Sequence, residues 1–155
     1  MTGTTLAPAT ALCGRSIRAI LAERHFYQGE GTETIEIWID ADGLDGLSLT
    51  GSPSGWGLVV GHIYPKSLDL GQYGEVRVLD LSDELGIGSS RRKVERVLAV
   101  QSDESTEPFG LALVFGPASI LHVLNRDDEL VLVEGEVPEL AQATYRDLCR
   151  LESPR

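Results

Sequence analysis

The stretch FGLALVFGPASILHVLNRDDELVLV, from Phe109 to Val133, decides the fold class of this chain. Short runs of branched and aliphatic residues alternate in it with turn formers, namely Gly116-Pro117 and the polar block from Asn125 to Glu129. Such runs between turn formers are typical of strands joined by hairpins. The stretch therefore predicts an antiparallel meander with a strongly acidic second turn. Its strands are expected over 111–115, 120–124 and 130–133.

An earlier part of the chain repeats this layout. The apolar positions of RSIRAILA at 15–22 match those of RKVERVLA at 92–99, and an irregular acidic loop follows each segment. A strand, a turn, a second strand, a polar turn and a third strand then follow in both halves. We interpret this as an internal duplication of residues 13–60 and 88–133, although meanders of separate origin share the same pattern.

Each meander leaves one apolar face to be buried. Because a single sheet exposes that face to water, the two sheets are expected to pack face to face or to close into one barrel. The predicted fold class is therefore mostly β, a β-sandwich or barrel-like domain over residues 12–155 with two similar antiparallel meanders and a C-terminal α-helix.

The two ends of the chain carry other patterns. Residues 1–11 are small and polar without periodicity, which predicts a flexible arm. Near the other end, Pro138 and Glu139 suit the first turn of a helix, and the following leucines recur at helical spacing. These features predict the C-terminal helix over residues 138–151.

The charge is unevenly distributed along the chain. The net charge is −11, and residues 25–65 hold six acidic residues and no lysine or arginine. Residues 101–139 hold nine acidic residues, opposed only by Arg126. A field of that sign repels nucleic acid and anionic membranes and attracts basic partners. The alternative explanation is that acidic loops keep a β-rich protein soluble and its sheet edges unpaired.

Binding residues concentrate on the loops of rigid scaffolds, so the acidic residues of the predicted loops are candidate contacts for a partner. Trp56 is added because a large amphipathic side chain anchors interfaces, although a tryptophan is more often part of the core. Charge reversal at the acidic turn is expected to weaken such a complex. The candidate partner-binding residues are Glu30, Glu33, Trp56, Asp103, Glu104, Glu107, Asp127, Asp128 and Glu129.

The sequence carries no strong signature of catalysis or cofactor binding. The segment from Asp40 to Gly46 has the alternating carboxylates of a calcium loop, but Leu44 and Asp45 stand where a ligand and a glycine are required. A hairpin turn is the better interpretation. Three isolated histidines are each expected to be packed structural residues; they are His25, His62 and His122. We predict no catalytic residue, no cofactor and no metal site.

The cysteines and the hydropathy of the sequence indicate in which cellular compartment we expect the protein. Cys13 and Cys149 are too few and too far apart in sequence for a disulfide framework or a zinc cluster. Two free thiols in a reducing cytoplasm are therefore expected. No apolar run approaches the roughly 20 residues of a membrane-spanning helix, so no membrane contact is expected.

The layout of GLALVF, a turn, ILHVLN and DDELVLV resembles small bacterial proteins that are encoded beside secreted polymorphic toxins and act as immunity proteins. The resemblance covers the second half of the chain and, less closely, the segments GLSL and GWGLVV of the first half. It implies an inhibitor without catalytic residues, whose partner is specific to each protein.

The sequence thus predicts a cytoplasmic, non-enzymatic, acidic binding protein whose partner is a basic protein such as a toxin. Two other classes stay open. One is a small enzyme or ligand-binding β-barrel with a pocket between the two halves, and the other is a structural subunit that self-associates through its sheet edges. A deep cavity that unites histidines and carboxylates would favour the pocket, whereas an acidic surface would favour the binding protein.

Overall fold

The computed structural model describes residues 6–87, 92–103 and 107–151. Within these ranges the strands form two antiparallel sheets. The N-terminal sheet contains β1 (Ser16–Tyr27), β2 (Glu30–Ala41), β3 (Leu47–Gly51), β4 (Leu58–Gly61), β5 (Leu68–Asp69), β6 (Glu75–Asp80) and β7 (Arg92–Lys93). The C-terminal sheet contains β8 (Arg96–Gln101), β9 (Gly110–Gly116), β10 (Ser119–Arg126), β11 (Glu129–Glu134) and β12 (Thr144–Asp147).

The predicted fold class is confirmed. The described chain is mostly β, with two antiparallel sheets and a C-terminal helix α1 (Leu148–Leu151). The three strands expected in the opening stretch lie within β9, β10 and β11, and β10 pairs with both of its neighbours. Branched side chains separated by Gly116-Pro117 and by an acidic turn therefore form the meander that their pattern predicts.

The two sheets share one strand order. The N-terminal sheet runs β4-β3-β2-β1-β6-β5, and the C-terminal sheet runs β11-β10-β9-β8-β12. In each sheet, four consecutive strands form a meander, and a later strand joins the free edge of the first strand. The internal duplication of 13–60 and 88–133 stays a prediction, because strand order alone does not establish a common origin.

The main hydrophobic core lies between the sheets. Alternate residues of each strand point inward, as the period of two requires, and β11 lies against β2 and β3. Burial of each branched side chain stabilises the fold by about 2 kcal/mol. Core residues of the N-terminal sheet include Ile17, Ile20, Ile37, Ile39 and Leu49, and those of the C-terminal sheet include Val97, Leu111, Leu113, Leu121 and Val123.

A second, smaller core covers the outer face of the C-terminal sheet. Val137 and Leu140 pack there on outward-facing residues of β8, β9 and β10. Pro138–Leu140 forms a single 3-10 turn that places these two apolar side chains over the sheet. Both faces of this sheet are therefore apolar, and its strands are almost continuously buried.

The C-terminal helix is much shorter than predicted. Of residues 138–151, only Leu148–Leu151 are α-helical, while Thr144–Asp147 pair with β8 as strand β12. The open edge of β8 offers backbone groups that a strand satisfies and a helix leaves unpaired. Helical spacing in the sequence carries no information about that distant edge.

No helix among the described residues is long and apolar enough to cross a membrane.

The predicted flexible arm is wrong over residues 6–11. Ala7–Leu12 form a 3-10 helix, and Leu6, Ala9 and Leu12 are completely buried in the main core. The segment covers one end of the gap between the sheets, where it packs against β4, β8 and α1. Its small residues permit that close packing, so their lack of periodicity does not indicate disorder. Residues 1–5 lie outside the described residues.

The two cysteines form a disulfide, so the expectation of free thiols is wrong. Cys13 follows the 3-10 helix and Cys149 lies in α1, with 5.8 Å between their Cα atoms and a sequence separation of 136. Because the 3-10 helix packs against α1, the fold brings the two ends of the domain together. Separation in sequence sets no limit on that spatial distance.

Candidate functional site

Three loops meet at one end of the sandwich and enclose an open cleft of about 460 Å³. They are the β3–β4 loop, the segment between β8 and β9, and the two-residue turn between β10 and β11. The loops come from both sheets, which explains why no local sequence pattern predicts the cleft. Its lining residues are Trp56, Ser102, Glu107, Phe109, Asn125, Arg126 and Asp127.

Asn125 fastens the β3–β4 loop of one sheet to the other sheet. Its Nδ2 donates hydrogen bonds to the carbonyl oxygens of Gly55, at 3.2 Å, and Gly57, at 2.8 Å. Its backbone N–H donates to the carbonyl of Phe109 at 2.8 Å. Only 7% of the Asn125 surface is exposed, and its buried Oδ1 has no hydrogen-bond partner among the described residues. Asn125 thus ties the two sheets together beside the cleft and leaves one buried acceptor unsatisfied.

Glu107 is held against the same loop. The Ser54 hydroxyl donates a hydrogen bond of 2.6 Å to its Oε1. The carboxyl end of Glu107 occupies the space that a methyl group on Gly57 would need, so a side chain at residue 57 would displace it. The hydrogen bond from Ser54 and the contact with Gly57 therefore position the carboxylate.

Asp127 and Asp128 form the turn between β10 and β11. Their φ angles are +55° and +66°, and Arg126 pairs with Glu129 across the strands. Two consecutive positive φ values at the centre of a two-residue hairpin indicate a type I′ turn, in which asparagine, aspartate and glycine are favoured. Both carboxylates are exposed at the tip. An acidic turn therefore lies where the sequence predicts one, but it is shorter than the predicted block from Asn125 to Glu129, whose other residues belong to β10 and β11.

Arg126 is the basic residue of the cleft, and its charge is already paired. Its Nη2 lies 3.0 Å from Oε2 of Glu139. The remaining charged groups of the lining, Glu107 and Asp127, are both acidic. The cleft therefore presents two carboxylates beside the aromatic rings of Trp56 and Phe109.

The cleft gathers three of the nine sequence-predicted contacts, namely Trp56, Glu107 and Asp127. Trp56 is 70% exposed, which removes the alternative that it belongs to the core. Asp103 lines an adjoining cavity of about 340 Å³ that shares Ser102 and Phe109 with the cleft. Sequence reasoning did not include Phe109 and Asn125 among the contacts. Asn125 ends an apolar run, and a polar residue in that position indicates from the sequence that its side chain makes a long-range hydrogen bond.

The other predicted contacts do not line the cleft. The Asp128 Oδ1 atom faces Gly51 of β3, where a Cβ atom would lie 3.4 Å from it. Glu30 and Glu33 are exposed at the start of β2, beyond the residues that pair with β3. Glu129 lines a different cavity. Glu104 lies outside the described residues.

The cavity that contains Glu129 lies between the two halves and measures about 450 Å³. One wall is β11, and the other is formed by β1, β2, β6 and the segment that follows β6. Arg24 lies in this wall and donates a hydrogen bond of 3.1 Å to the Thr34 hydroxyl. A hydrogen bond from Ser82 lowers the pKa of Asp80, which therefore stays charged. The alternative hypothesis of a small enzyme or ligand-binding protein calls for a cavity in this position.

The three histidines lie apart from each other. His25 contacts the Thr32 hydroxyl and the Tyr73 carbonyl, and His62 contacts the Gly46 carbonyl. His122 is buried, and its Nε2 lies 2.8 Å from the Tyr145 hydroxyl. Burial lowers the pKa of His122, so the ring is neutral at physiological pH. These partners are structural, and none of the three rings lines either cavity.

The segment from Asp40 to Gly46 connects β2 to the antiparallel β3, as the turn interpretation predicts. Gly43 and Gly46 adopt positive φ there. Within residues 6–87, 92–103 and 107–151, no group of three or more histidine, cysteine, aspartate or glutamate side chains is arranged to hold a metal ion. The cleft instead combines carboxylates and aromatic rings, a set suited to non-covalent binding of a cation. Comparison of the chain with protein-family models, curated proteins and solved structures gives no match.

Proposed function

We propose that this chain is a non-enzymatic acidic binding protein that recognises a basic partner protein, in the manner of an immunity-type inhibitor of a toxin. The observation that carries the proposal is the cleft, which unites Trp56, Glu107 and Asp127 on one exposed surface. An exposed tryptophan beside carboxylates is a typical anchor of a protein interface. The resemblance to immunity proteins supports the same class of function.

The electrostatics of the whole chain support a basic partner. With a net charge of −11, the protein attracts cationic surfaces over a Debye length of about 8 Å at physiological ionic strength. Acidic loops then raise the association rate of a cationic partner and disfavour nucleic acid. The Asp127-Asp128 turn and Asp103 extend the acidic surface beyond the cleft itself.

The rigidity of the loops supports tight binding. Ser52 accepts a hydrogen bond from the Gly57 N–H through its hydroxyl, and the Ser52 N–H donates to the Gly57 carbonyl. Asn125 holds the same loop from the other sheet. A surface that is ordered before association loses less conformational entropy when it binds. The cleft is therefore pre-organised for its partner.

The disulfide bears on where the protein acts. The expected cytoplasmic location rests in part on two free thiols, but Cys13 and Cys149 form a disulfide. Disulfides persist in oxidising compartments and are rare in a reducing cytoplasm. The disulfide thus counts against a cytoplasmic location. Alkylation of free thiols in intact cells, followed by a gel under non-reducing conditions, distinguishes the cytoplasm from an oxidising compartment.

A second candidate function is ligand binding between the halves. The cavity of about 450 Å³ beside β11 falls within the usual range for small-molecule sites and favours this class. Its lining holds carboxylates and Arg24 but no histidine. Self-association through the edge strands β4 and β11 is the third class, and light scattering at increasing concentration tests it directly.

The proposal is tested by neutralising the acidic turn. Because Asp127 and Asp128 adopt positive φ, asparagine preserves the turn where lysine would strain it. The variant Asp127→Asn, Asp128→Asn, Glu129→Gln is expected to bind the basic partner about tenfold more weakly, since charged contacts near an interface each contribute modestly. Affinity capture from the native organism identifies the partner, and calorimetry measures the affinity.

A matched control removes the same charge elsewhere. Asp45, Asp83 and Glu95 are exposed acidic residues outside the cleft, and their neutralisation to asparagine or glutamine leaves the acidic turn intact. We expect this control to retain nearly the affinity of the wild type. Equal losses in both variants would show that net charge, and not this surface, governs binding.

A further inference from the structure

We propose that β11 accepts an extended, basic segment of the partner protein as an additional strand of the C-terminal sheet. The added strand lies along the cavity between the halves, and its alternate side chains enter that cavity. Addition of a peptide strand to an exposed sheet edge is a recurring mode of peptide recognition. This inference rests on the proposed function and specifies how the partner's backbone is held.

The backbone of β11 is paired on one side only. β11 is the end strand of its sheet and pairs there with β10. Because Arg126 and Glu129 close a two-residue hairpin turn, the odd-numbered residues of β11 exchange hydrogen bonds with β10. The Gly135 N–H continues this series and donates to the Ile120 carbonyl at 2.9 Å. The backbone groups of the even-numbered residues therefore point away from β10.

These outward groups form a template for a further strand. The N–H and C=O groups of Leu130, Leu132 and Glu134 make no hydrogen bond among the described residues. Such a row of unpaired donors and acceptors readily pairs with another chain. β11 has six residues, whereas the other end strands have four residues in β4 and β12 and two in β5. It is therefore the longest edge that the described sheets offer.

The cavity of about 450 Å³ between the halves runs along this edge. Four consecutive residues of β11, 129–132, line it. Consecutive side chains of a strand point to opposite faces, so a cavity that contacts all four residues borders the edge of the strand. The space beside the unpaired backbone groups is thus open to a ligand. The apolar residues of the lining are Leu79, Leu81, Leu85, Leu130, Val131 and Leu132.

The charges around this edge select a basic segment. Glu129 and Glu134 stand at the two ends of β11, and Asp80 and Glu84 lie in the opposite wall of the cavity. The lining holds three carboxylates against one guanidinium, that of Arg24. Pairs of opposite charge on neighbouring strands stabilise a sheet. A segment in which lysine or arginine alternates with apolar residues therefore fits both the carboxylates and the leucines.

The same charges disfavour a second copy of this chain as the occupant. Antiparallel pairing of two β11 strands would bring Glu134 of one copy close to Glu129 and the acidic turn of the other. Like charges that face each other across strands destabilise a sheet, and each copy has a net charge of −11. A basic segment of a different protein avoids this repulsion.

The experiment follows hydrogen exchange of the β11 amides in the full ¹⁵N-labelled chain. The probes are a blocked peptide of alternating lysine and valine, the same peptide with N-methylated backbone amides, and a counterpart with glutamate in place of lysine. The lysine peptide is expected to slow exchange at Leu130, Leu132 and Glu134 about tenfold when roughly nine-tenths of the chain is bound. The N-methylated and glutamate peptides are expected to leave these amides unchanged. The captured partner should give the same pattern as the lysine peptide.

Two variants at one position separate the backbone contact from the charge. Glu134 is exposed and its N–H points away from β10, so proline is tolerated there and keeps the hydrogen bonds with β10. Glu134→Pro and Glu134→Gln both remove the charge, but only proline removes the N–H. We expect Glu134→Pro to bind the lysine peptide about fivefold more weakly than Glu134→Gln. The control Asp45→Asn, in the β2–β3 connection, should bind as the wild type does.

The outcomes separate this inference from the proposed function. Equal affinity for the lysine and N-methylated peptides, or unchanged exchange of the even-numbered amides in excess lysine peptide, overturns the added strand. Slower exchange of these amides on concentration of the chain alone would make a second copy the occupant and overturn it too. If a captured basic partner protects 52–57 and 127–129 but neither Leu130 nor Leu132, the proposed function stands without the added strand. If the lysine peptide adds to β11 but no basic partner is captured, the edge binds strands and the proposed function is wrong.

Discussion

Replacement of Cys13 and Cys149 by serine is expected to lower the free energy of unfolding by about 4 kcal/mol. The disulfide closes a loop whose ends have a sequence separation of 136, and the loss of unfolded-chain entropy grows with loop length. Both cysteines also pack against the main core, and Sγ of Cys149 accepts a hydrogen bond from the Val97 N–H at 3.2 Å. Urea unfolding followed by circular dichroism measures the change.

Reduced wild-type protein serves as the control for this prediction. It lacks the cross-link but keeps both sulfur atoms, so its stability should fall close to that of the double serine variant. An unchanged midpoint in both samples would contradict the account. It would mean that the packing of Leu6 and Leu12 holds the ends of the domain together without the cross-link.

Replacement of Glu36 by glutamine is expected to raise the free energy of unfolding by about 2 to 3 kcal/mol near pH 8. Glu36 lies on the outer face of the N-terminal sheet, directly opposite Glu23 of β1. Only 5% of its surface is exposed, and its Oε2 has no hydrogen-bond partner among the described residues. Burial, and then the charge of Glu23, raise the pKa of Glu36 to about 7.

The sign of the pH effect follows from that shift. The unfolded chain has a glutamate pKa near 4.3, so the folded state holds the Glu36 proton more tightly. The stabilising contribution is complete below about pH 4 and is lost as the pH rises through about 7. Glutamine mimics the protonated acid at every pH, so its advantage grows between about pH 4 and 7 and is complete above neutrality.

Urea titrations of wild type and Glu36→Gln across this pH range test the prediction. Glu95→Gln is the matched control, because Glu95 is exposed and its neutralisation removes the same charge. The difference between Glu36→Gln and wild type should grow from near zero in acid to its full value above neutral pH. A difference that is constant with pH, or equal to that of Glu95→Gln, would rule out titration of Glu36 as the cause.

Local patterns in the sequence predict the strands well. Alternation and turn formers place β9, β10 and β11 correctly, and the acidic pair Asp127-Asp128 forms the hairpin turn that its composition favours. In an antiparallel meander, neighbouring strands are also neighbours in sequence, so the decisive contacts are short-range. The mostly β fold in two sheets follows from the same signals.

Long-range contacts are where prediction from the sequence fails. Residues 144–147 become a strand because β8, more than 40 residues earlier, has an open edge. The disulfide between Cys13 and Cys149 depends on the packing of the two sheets. The hydrogen bonds between Asn125 and the loop at 55–57 depend on it as well. The composition indicates that the protein is acidic. It does not indicate that Trp56, Glu107 and Asp127 line one cleft, because the fold brings them together.

Hydrogen exchange of the backbone amides, with and without the captured partner, tests the central claim most directly. We expect slower exchange in the complex over residues 52–57 and 125–129, the loops that form the cleft. Glu30 and Glu33 do not line the cleft, so exchange over 28–33 should not change. Protection confined to 79–85 beside the cavity between the halves, with the cleft loops unaltered, would contradict the account.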